Sequence, residues 1–109
     1  MSVDSKIKAV LSGFGDPVEN TEYKGEAARY YVFNYSSTGA DFADDEPGHE
    51  KYFVQVHLFA PLCENLTKRI KQTKRALFEA GFTWPEMVNA SDGDWRHLVF
   101  ECEIAEGVD

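Results

Sequence analysis

The stretch KYFVQVHLFA, residues 51–60, decides the fold, because apolar and mixed positions alternate along it. In a β-strand successive side chains project to opposite sides, so this alternation is typical of a strand. One side is wholly apolar and the other contains a glutamine and a histidine. The pattern predicts a strand with its apolar side in the core and its mixed side partly exposed. The apolar side is Tyr52, Val54, Val56 and Leu58, and the mixed side is Phe53, Gln55, His57 and Phe59.

Further strands are predicted on both sides of this one. Residues 29–36 (RYYVFNYS) carry aromatic residues at alternate and adjacent positions, which indicates a strand covered on both faces. It should pair antiparallel with 51–60, as sequential strands usually do. Residues 95–104 (WRHLVFECEI) alternate again, with Leu98, Phe100, Cys102 and Ile104 inward. Shorter strands are predicted at 18–24 and 82–84.

Two segments have the apolar spacing of amphipathic helices. Val3, Ile7 and Leu11 recur every four residues, which predicts a helix over about 3–13. A second helix of roughly 19 residues is predicted from Leu62 to Ala80, with its buried stripe at Leu62, Leu66, Ile70, Leu77 and Ala80 and with Thr73 and Phe78 beside it. Gly81 stands where a helix commonly ends on a residue with positive φ.

The predicted order is α-β-β-β-α-β-β, in a chain of 109 residues with room for one core. Each helix has one apolar stripe and the sheet must bury one face. We therefore expect a single α+β domain over 1–109, with a two-layer, mostly antiparallel sheet and both helices packed on one face. Residues 36–50 are expected to form an exposed acidic loop, since they contain glycines and a proline, and 105–109 a frayed tail.

Composition excludes several classes of function. The net charge is −8, from 19 acidic and 11 basic residues, which disfavours binding to nucleic acid or to anionic membranes. No apolar run approaches the ~20 residues of a membrane span, and the first residues lack the apolar core of a signal peptide. Cys63 and Cys102 form no metal-binding motif and are expected to be small buried residues. We expect a soluble domain made inside the cell.

The acidic cluster that precedes residues 51–60 raises the question of a metal site. Calcium-binding loops place carboxylates at alternating positions around a glycine, and this spacing is not met. His49-Glu50 also lacks the second histidine that zinc peptidases carry one helical turn later. We therefore expect solvated loop acids, no metal and no cofactor. The cluster is Asp41, Asp44, Asp45, Glu46 and Glu50.

The residue patterns of the sequence also disfavour catalysis. His57 and His97 would approach each other if their strands were neighbours, but ordinary hydrogen bonding is the expected role for both. No serine or cysteine lies in a nucleophile motif such as GxSxG. Acid–base catalysis by two carboxyl groups requires that their environments differ, so that their pKa values differ. The exposed acids next to glycine and proline share one environment. The sequence predicts a protein that is not an enzyme.

The second helix holds five of the 11 basic residues. Lys68, Lys71 and Arg75 share its outward face, by their spacing of three and four residues. Such a face is usually only solvated. A basic helix and an acidic loop on one small domain are also complementary, however, and would allow head-to-tail contacts that close into a ring.

The order of motifs resembles the small tail terminator, or tail completion, proteins of long-tailed phages and prophages, which are also described as minor tail proteins. The resemblance covers about residues 8–104 and rests on FGDPV, EYKGEAARYYVFNY, ADFADDEPGHEKYFVQVHLF, a helix closing in AGF, and RHLVFECEI. It implies a two-layer α/β fold without enzymatic activity that assembles into a ring, usually a hexamer. That ring would cap the tail tube and meet the head-tail connector. The protein would then occur in the host cytoplasm during assembly and in the virion tail.

Under this resemblance, we expect Asp41, Asp44, Asp45, Glu46 and Glu50 to contact the basic helix of a neighbouring subunit, or a tail-tube subunit. The alternative is a monomeric acidic binding protein, such as a phage-encoded DNA mimic or other inhibitor. Its acids should lie along one face at phosphate-like spacing, whereas here they are bunched. A third possibility is a small metal-dependent enzyme that uses Asp44, Asp45, His49 and His57.

Overall fold

The structure, a computed structural model, describes residues 2–43 and 46–107, with side chains outside 40–47 and 107. The predicted order of elements and the α+β class are confirmed. Two helices and five strands follow one another along the chain. They are α1 (Val3–Ser12), β1 (Val18–Asn20), β2 (Tyr30–Ala43), β3 (Glu46–Pro61), α2 (Thr67–Glu79), β4 (Glu86–Asn89) and β5 (Trp95–Gly107).

The strands form one sheet in the order β1-β2-β3-β5-β4. Only the β1–β2 pair is parallel, and the predicted antiparallel pairing of β2 with β3 is confirmed. Phe33, Val56 and Phe100 lie side by side across the three central strands. Because side chains alternate along each strand, this register aligns the inward residues of all three.

The core lies on one face of the sheet, and both helices cover it, as predicted. Ile7 and Leu11 of α1 and Leu77 of α2 are completely buried, and they belong to one apolar cluster with Phe33 and Phe100. The apolar side of residues 51–60 faces this cluster and the mixed side faces away. The prediction that β2 would be covered on both faces is wrong, since Asn34 and Ser36 on its other side are exposed.

The ends of the helices follow from local hydrogen bonds. Ser2 caps α1 by accepting a bond from the Ser5 N–H at 3.1 Å. The second helix is shorter than the predicted 62–80, because the chain turns after Pro61 and Asn65 accepts a bond from the Thr67 N–H. Gly81 has φ of 105°, as predicted, and ends α2.

The predicted loop at 36–50 is wrong for the residues that the structure describes there. Residues 36–43 continue β2 and 46–50 continue β3, paired for example as Gly39 with Glu50. The hydrogen bonds between β2 and β3 pair the backbone N–H and C=O groups of this segment. This pairing outweighs the preference of its glycines and acids for turns. The predicted frayed tail is likewise wrong at 105–107, where β5 pairs with β3 as far as His49 and Gly107. Residues 108–109 lie outside the described part.

The short strands lie elsewhere than predicted. The strand at the edge of the sheet beside β5 is Glu86–Asn89 and not 82–84. Phe82 is buried in the core, and Thr83 makes isolated hydrogen bonds with Glu103 and no strand ladder. The first strand ends at Asn20, because Thr21 has φ of 71° and leaves the extended conformation.

Candidate functional site

The sheet face opposite the helices has no layer of secondary structure packed on it, among the residues described, and it exposes large apolar side chains among polar ones. Phe53, Val88 and Trp95 on this face are 42%, 49% and 42% exposed. Antiparallel sheets often turn one face to water, but that face is normally polar. Here three exposed apolar side chains are spread along the sheet, since Trp95 pairs with Pro61, eight residues or about 26 Å at ~3.3 Å per residue from Phe53 on β3. Each is an apolar position at which another molecule could make contact. We refer to this surface as the uncovered face.

Stacked rings cross the uncovered face at one end. Tyr23 lies 4.5 Å from Tyr30, Tyr30 lies 5.0 Å from Phe59, and Phe59 lies 4.2 Å from His97, measured between ring centres. The row passes over β2, β3 and β5, whose register places Tyr30 and His97 on either side of Phe59. Tyr30, Phe59 and His97 are stacked and Tyr23 is tilted by 33° to Tyr30, so the row forms a packed aromatic surface at this end of the face.

His57 and His97 meet beside this row, as their strands are neighbours. Nδ1 of His57 and Nε2 of His97 are 2.8 Å apart, and Nδ2 of Asn34 lies 3.3 Å from Nε2 of His57. An amide NH₂ can only donate, so Nε2 of His57 accepts and its Nδ1 carries the proton. His57 therefore donates to Nε2 of His97, and both rings are neutral in this arrangement.

The electrostatic surroundings keep both histidines neutral. Burial lowers the pKa of His57 below 6.5, the nearby His97 lowers it further, and Glu101 opposes the change. Burial also lowers the pKa of His97, and Asp92 opposes that change. Two imidazoles in hydrogen-bond contact cannot both be charged at low cost. The pair is thus a neutral, proton-sensitive part of the uncovered face.

Carboxylates lie next to the apolar residues on the uncovered face. Glu86 of β4 stands directly opposite Glu101 of β5, and Glu103 follows two residues later on the same side. Opposed like charges destabilise a strand pair, so Glu86 and Glu101 have no structural benefit from each other. Among the described residues, Glu101 accepts a 3.5 Å bond from Gln55, and Glu103 makes a 3.4 Å contact with Lys51. Sequence reasoning missed the Glu86–Glu101 pair, because it placed this strand at 82–84.

Helix α2 turns a basic and partly aromatic face to solvent, which we call the α2 face. Lys68, Lys71 and Arg75 are exposed on it, as predicted. Arg75 lies 4.0 Å from Glu79 and 5.2 Å from the ring centre of Trp84, which in turn contacts Phe78. Phe78 was expected beside the buried stripe, but it is 48% exposed. Lys68 and Lys71 have no ion pair with any residue that the structure describes.

One basic residue of α2, Arg69, points into the molecule instead. Its guanidinium is 2.5 Å from Asp16 and lies over the ring of Phe14. Arg29 also contacts Asp16, at 2.8 Å, and pairs with Glu64. These charges connect the end of α1 with β2, α2 and the turn before α2, so their function is structural.

The acidic cluster cannot be placed as a surface. Asp44 and Asp45 lie outside the described residues, and the side chains of Asp41 and Glu46 do as well. Glu50 is described, and it is partly buried on β3 opposite Gly39. The contact proposed between this cluster and the basic helix residues therefore stays a prediction.

The two histidines of the metal-enzyme alternative are too far apart to bind one metal ion. His49 and His57 lie eight residues apart on one strand, hence about 26 Å apart at ~3.3 Å per residue, so they cannot share an ion. Among the residues described, no three His, Cys, Asp or Glu side chains could hold a metal ion together. Cys102 is buried, which raises its pKa to about 12, whereas Cys63, contrary to expectation, is exposed.

No helix in the described part of the chain is long and apolar enough to cross a membrane.

Comparison with known proteins supports the fold alone. No family model and no curated protein matches the sequence. Ten chains of solved structures do match. One of them aligns over 100% of this chain and 99% of its own length, with a TM-score of 0.59 and 12% sequence identity, and its name describes no function. At this identity the likeness establishes the α+β architecture only.

Proposed function

We propose that this protein is a ring-forming structural protein of a phage or prophage tail, which caps the tail tube and joins it to the head connector. The motif order described above supports this proposal over residues 8–104. The α+β fold with both helices on one face agrees with the architecture that the resemblance implies. The proposal includes no catalytic residue and no cofactor.

The observation that favours assembly most is the uncovered face. A monomeric domain of this size normally turns a polar sheet surface to water, whereas this one exposes Phe53, Val88 and Trp95 together with a stacked aromatic row. An interface needs apolar residues at its centre and polar residues at its rim. The uncovered face has both kinds of residue side by side, since Glu86 and Glu101 lie between the levels of Phe53 and Val88.

Two members of the acidic cluster, Asp41 and Glu46, lie at the far ends of β2 and β3. The molecule measures 54 by 24 by 24 Å, and Ser37, Tyr52 and Ile104 lie side by side on β2, β3 and β5. Strand residues 38–43 and 46–51 continue beyond that level, by about 20 Å at ~3.3 Å per residue. The acidic end of the hairpin would therefore reach a neighbouring subunit or a tail-tube subunit.

The test is the assembly state of the purified protein. Light scattering at increasing protein concentration should give the mass of a closed oligomer, and negative-stain electron microscopy should show rings with a central opening. Reversal of the hairpin charges in Asp44→Lys/Asp45→Lys should weaken assembly and leave the thermal unfolding temperature unchanged. Glu22→Lys/Glu26→Lys, on the exposed β1–β2 connection, is the matched control for the change in net charge.

Each outcome has a definite meaning. Rings that dissociate in the hairpin variant but not in the control would support both the proposal and the hairpin contact. Rings that form equally well in the hairpin variant would remove the hairpin contact. A strict monomer at every concentration would contradict ring assembly and favour the monomeric acidic binding protein.

A further inference from the structure

Two surfaces of this chain remain without a partner among the described residues, and they differ in charge. The uncovered face carries exposed apolar residues with carboxylates between them, and the α2 face is cationic with two exposed aromatic rings. We propose that the α2 face of one subunit packs onto the uncovered face of a second copy of the chain. The inference rests on the proposed function, since it names the surfaces through which the copies assemble.

Charge is the first argument for a second copy as the occupant. The chain has a net charge of −8, so two copies repel each other unless a local cationic patch meets a local anionic one. Lys68, Lys71 and Arg75 are exposed on the α2 face. Glu86 and Glu101 are opposed to each other across β4 and β5 and lack a cationic partner among the described residues. Lys71 and Arg75 of a neighbour would neutralise this pair.

Apolar complementarity is the second argument. Phe53 and Val88 are exposed on the uncovered face, and Phe78 and Trp84 are exposed at the α2 face. Phe78 and Trp84 pack edge to face at 5.5 Å, so they form one rigid aromatic projection. Aromatic residues fixed in this way serve as anchors at the centre of interfaces, where they lose little conformational entropy on binding.

The two surfaces are unlike, so the contact is heterologous. A heterologous contact leaves an uncovered face free on one subunit and an α2 face free on the other, and repetition of the contact closes into a ring when the rotation permits. A contact between two identical uncovered faces would instead join two surfaces that each carry Glu86, Glu101 and Glu103. That arrangement would be repulsive, which favours the unlike pairing.

The experiment is a charge exchange measured by light scattering or sedimentation as a function of protein concentration. Glu86→Lys/Glu101→Lys and Lys71→Glu/Arg75→Glu should each raise the concentration of half-assembly at least tenfold, which is what ~1.4 kcal/mol of lost attraction produces. The four changes combined in one chain should restore assembly toward that of the natural sequence. Glu22→Lys/Glu26→Lys is again the control for the net charge of the sheet variant.

A second arm tests the apolar contact without altering charge. Phe53→Ser/Val88→Ser should also raise the concentration of half-assembly at least tenfold, and Trp84→Ser should act in the same direction. Leu62→Ser is the matched control, because Leu62 is 46% exposed in the turn before α2 and belongs to neither surface. The thermal unfolding temperature of every variant, measured at a concentration at which the chain is dissociated, should stay within a few degrees of the original.

The outcomes separate the inference from the proposed function. Rings that persist in both charge-reversed variants would overturn the inference and leave the ring-forming function in place. Assembly that fails in each reversed variant and returns in the combined one would establish the α2-to-sheet contact. If the assembled species were a closed dimer with the same charge response, the contact would stand and the ring would not. A wild-type chain that never associates would overturn both.

Discussion

The two faces of the single sheet are built from the same strands but have opposite roles. On the covered face, Phe33, Val56 and Phe100 are completely buried by the helices. On the uncovered face, Phe53 and Val88 are nearly half exposed, although Phe53 shares β3 with Val56 and Val88 lies on β4, next to the strand of Phe100. Similar side chains thus stabilise the monomer on one face and are available to a partner on the other. The difference shows that apolar character alone does not identify the core of this protein.

The largest expected effect distinguishes the two faces directly. Phe100→Ala should lower the free energy of unfolding by about 3–5 kcal/mol, because it leaves a cavity in the core. Phe53→Ala should change it by less than ~0.5 kcal/mol, because the ring is exposed and makes few contacts. Urea unfolding of both variants at a concentration that keeps the chain dissociated measures the difference. Equal losses would mean that the uncovered face is part of the folding core.

An intermediate effect is expected within α2, between its inward and outward cations. Arg69→Ala should lower the free energy of unfolding by about 2 kcal/mol, since it removes the contact with Phe14 and leaves partly buried Asp16 with Arg29 alone. Lys68→Ala should have an effect below ~0.5 kcal/mol, because this side chain is exposed and makes no ion pair in the described part. Thermal unfolding of the two variants is the measurement. A similar loss for both would contradict the structural function assigned to Arg69.

The smallest effect concerns the histidine pair and pH. The pKa of His57 and of His97 in the folded state is lowered below 6.5, mainly by burial. The unfolded chain therefore binds protons at a higher pH than the folded chain does. The stabilisation is complete above pH 6.5 and is lost as the pH falls below that value, through the lowered pKa values.

The change is measured as the unfolding temperature at pH 7 and at pH 5. His57→Gln should lose a few degrees less than the natural sequence between these two values. If His57→Gln and the natural sequence show the same dependence on pH, the pair does not act as a proton-sensitive group.

Much of the fold was predictable because it depends on local periodicity. The alternation at 51–60 fixed the sides of β3, and the four-residue spacing of Val3, Ile7 and Leu11 located α1. His57 and His97 were predicted to approach each other if their strands were neighbours, and in the structure they do. Segments whose structure depends on distant partners were predicted wrongly. Residues 36–43 contain Gly39 and several polar residues, and only pairing with β3 makes them a strand.

The candidate surfaces were predictable only in part, for the same reason. The outward position of Lys68, Lys71 and Arg75 follows from helical geometry, since three- and four-residue spacing places side chains on one face. Glu86 and Glu101 are 15 positions apart in sequence, and no local pattern connects them. Their opposition depends on the register of β4 against β5, which is set by packing in the core.

The sequence by itself determined the class of fold, the order of the elements and the side of each long strand or helix that is apolar, because these depend on side-chain periodicity within single segments. Tertiary structure alone decided which apolar residues are covered. Both helices lie on one face of the sheet. That placement buries Phe100 and leaves Phe53 exposed to a partner. The physical reason is that burial depends on which layers pack together, and a residue in a strand contains no information about the layer that will cover it.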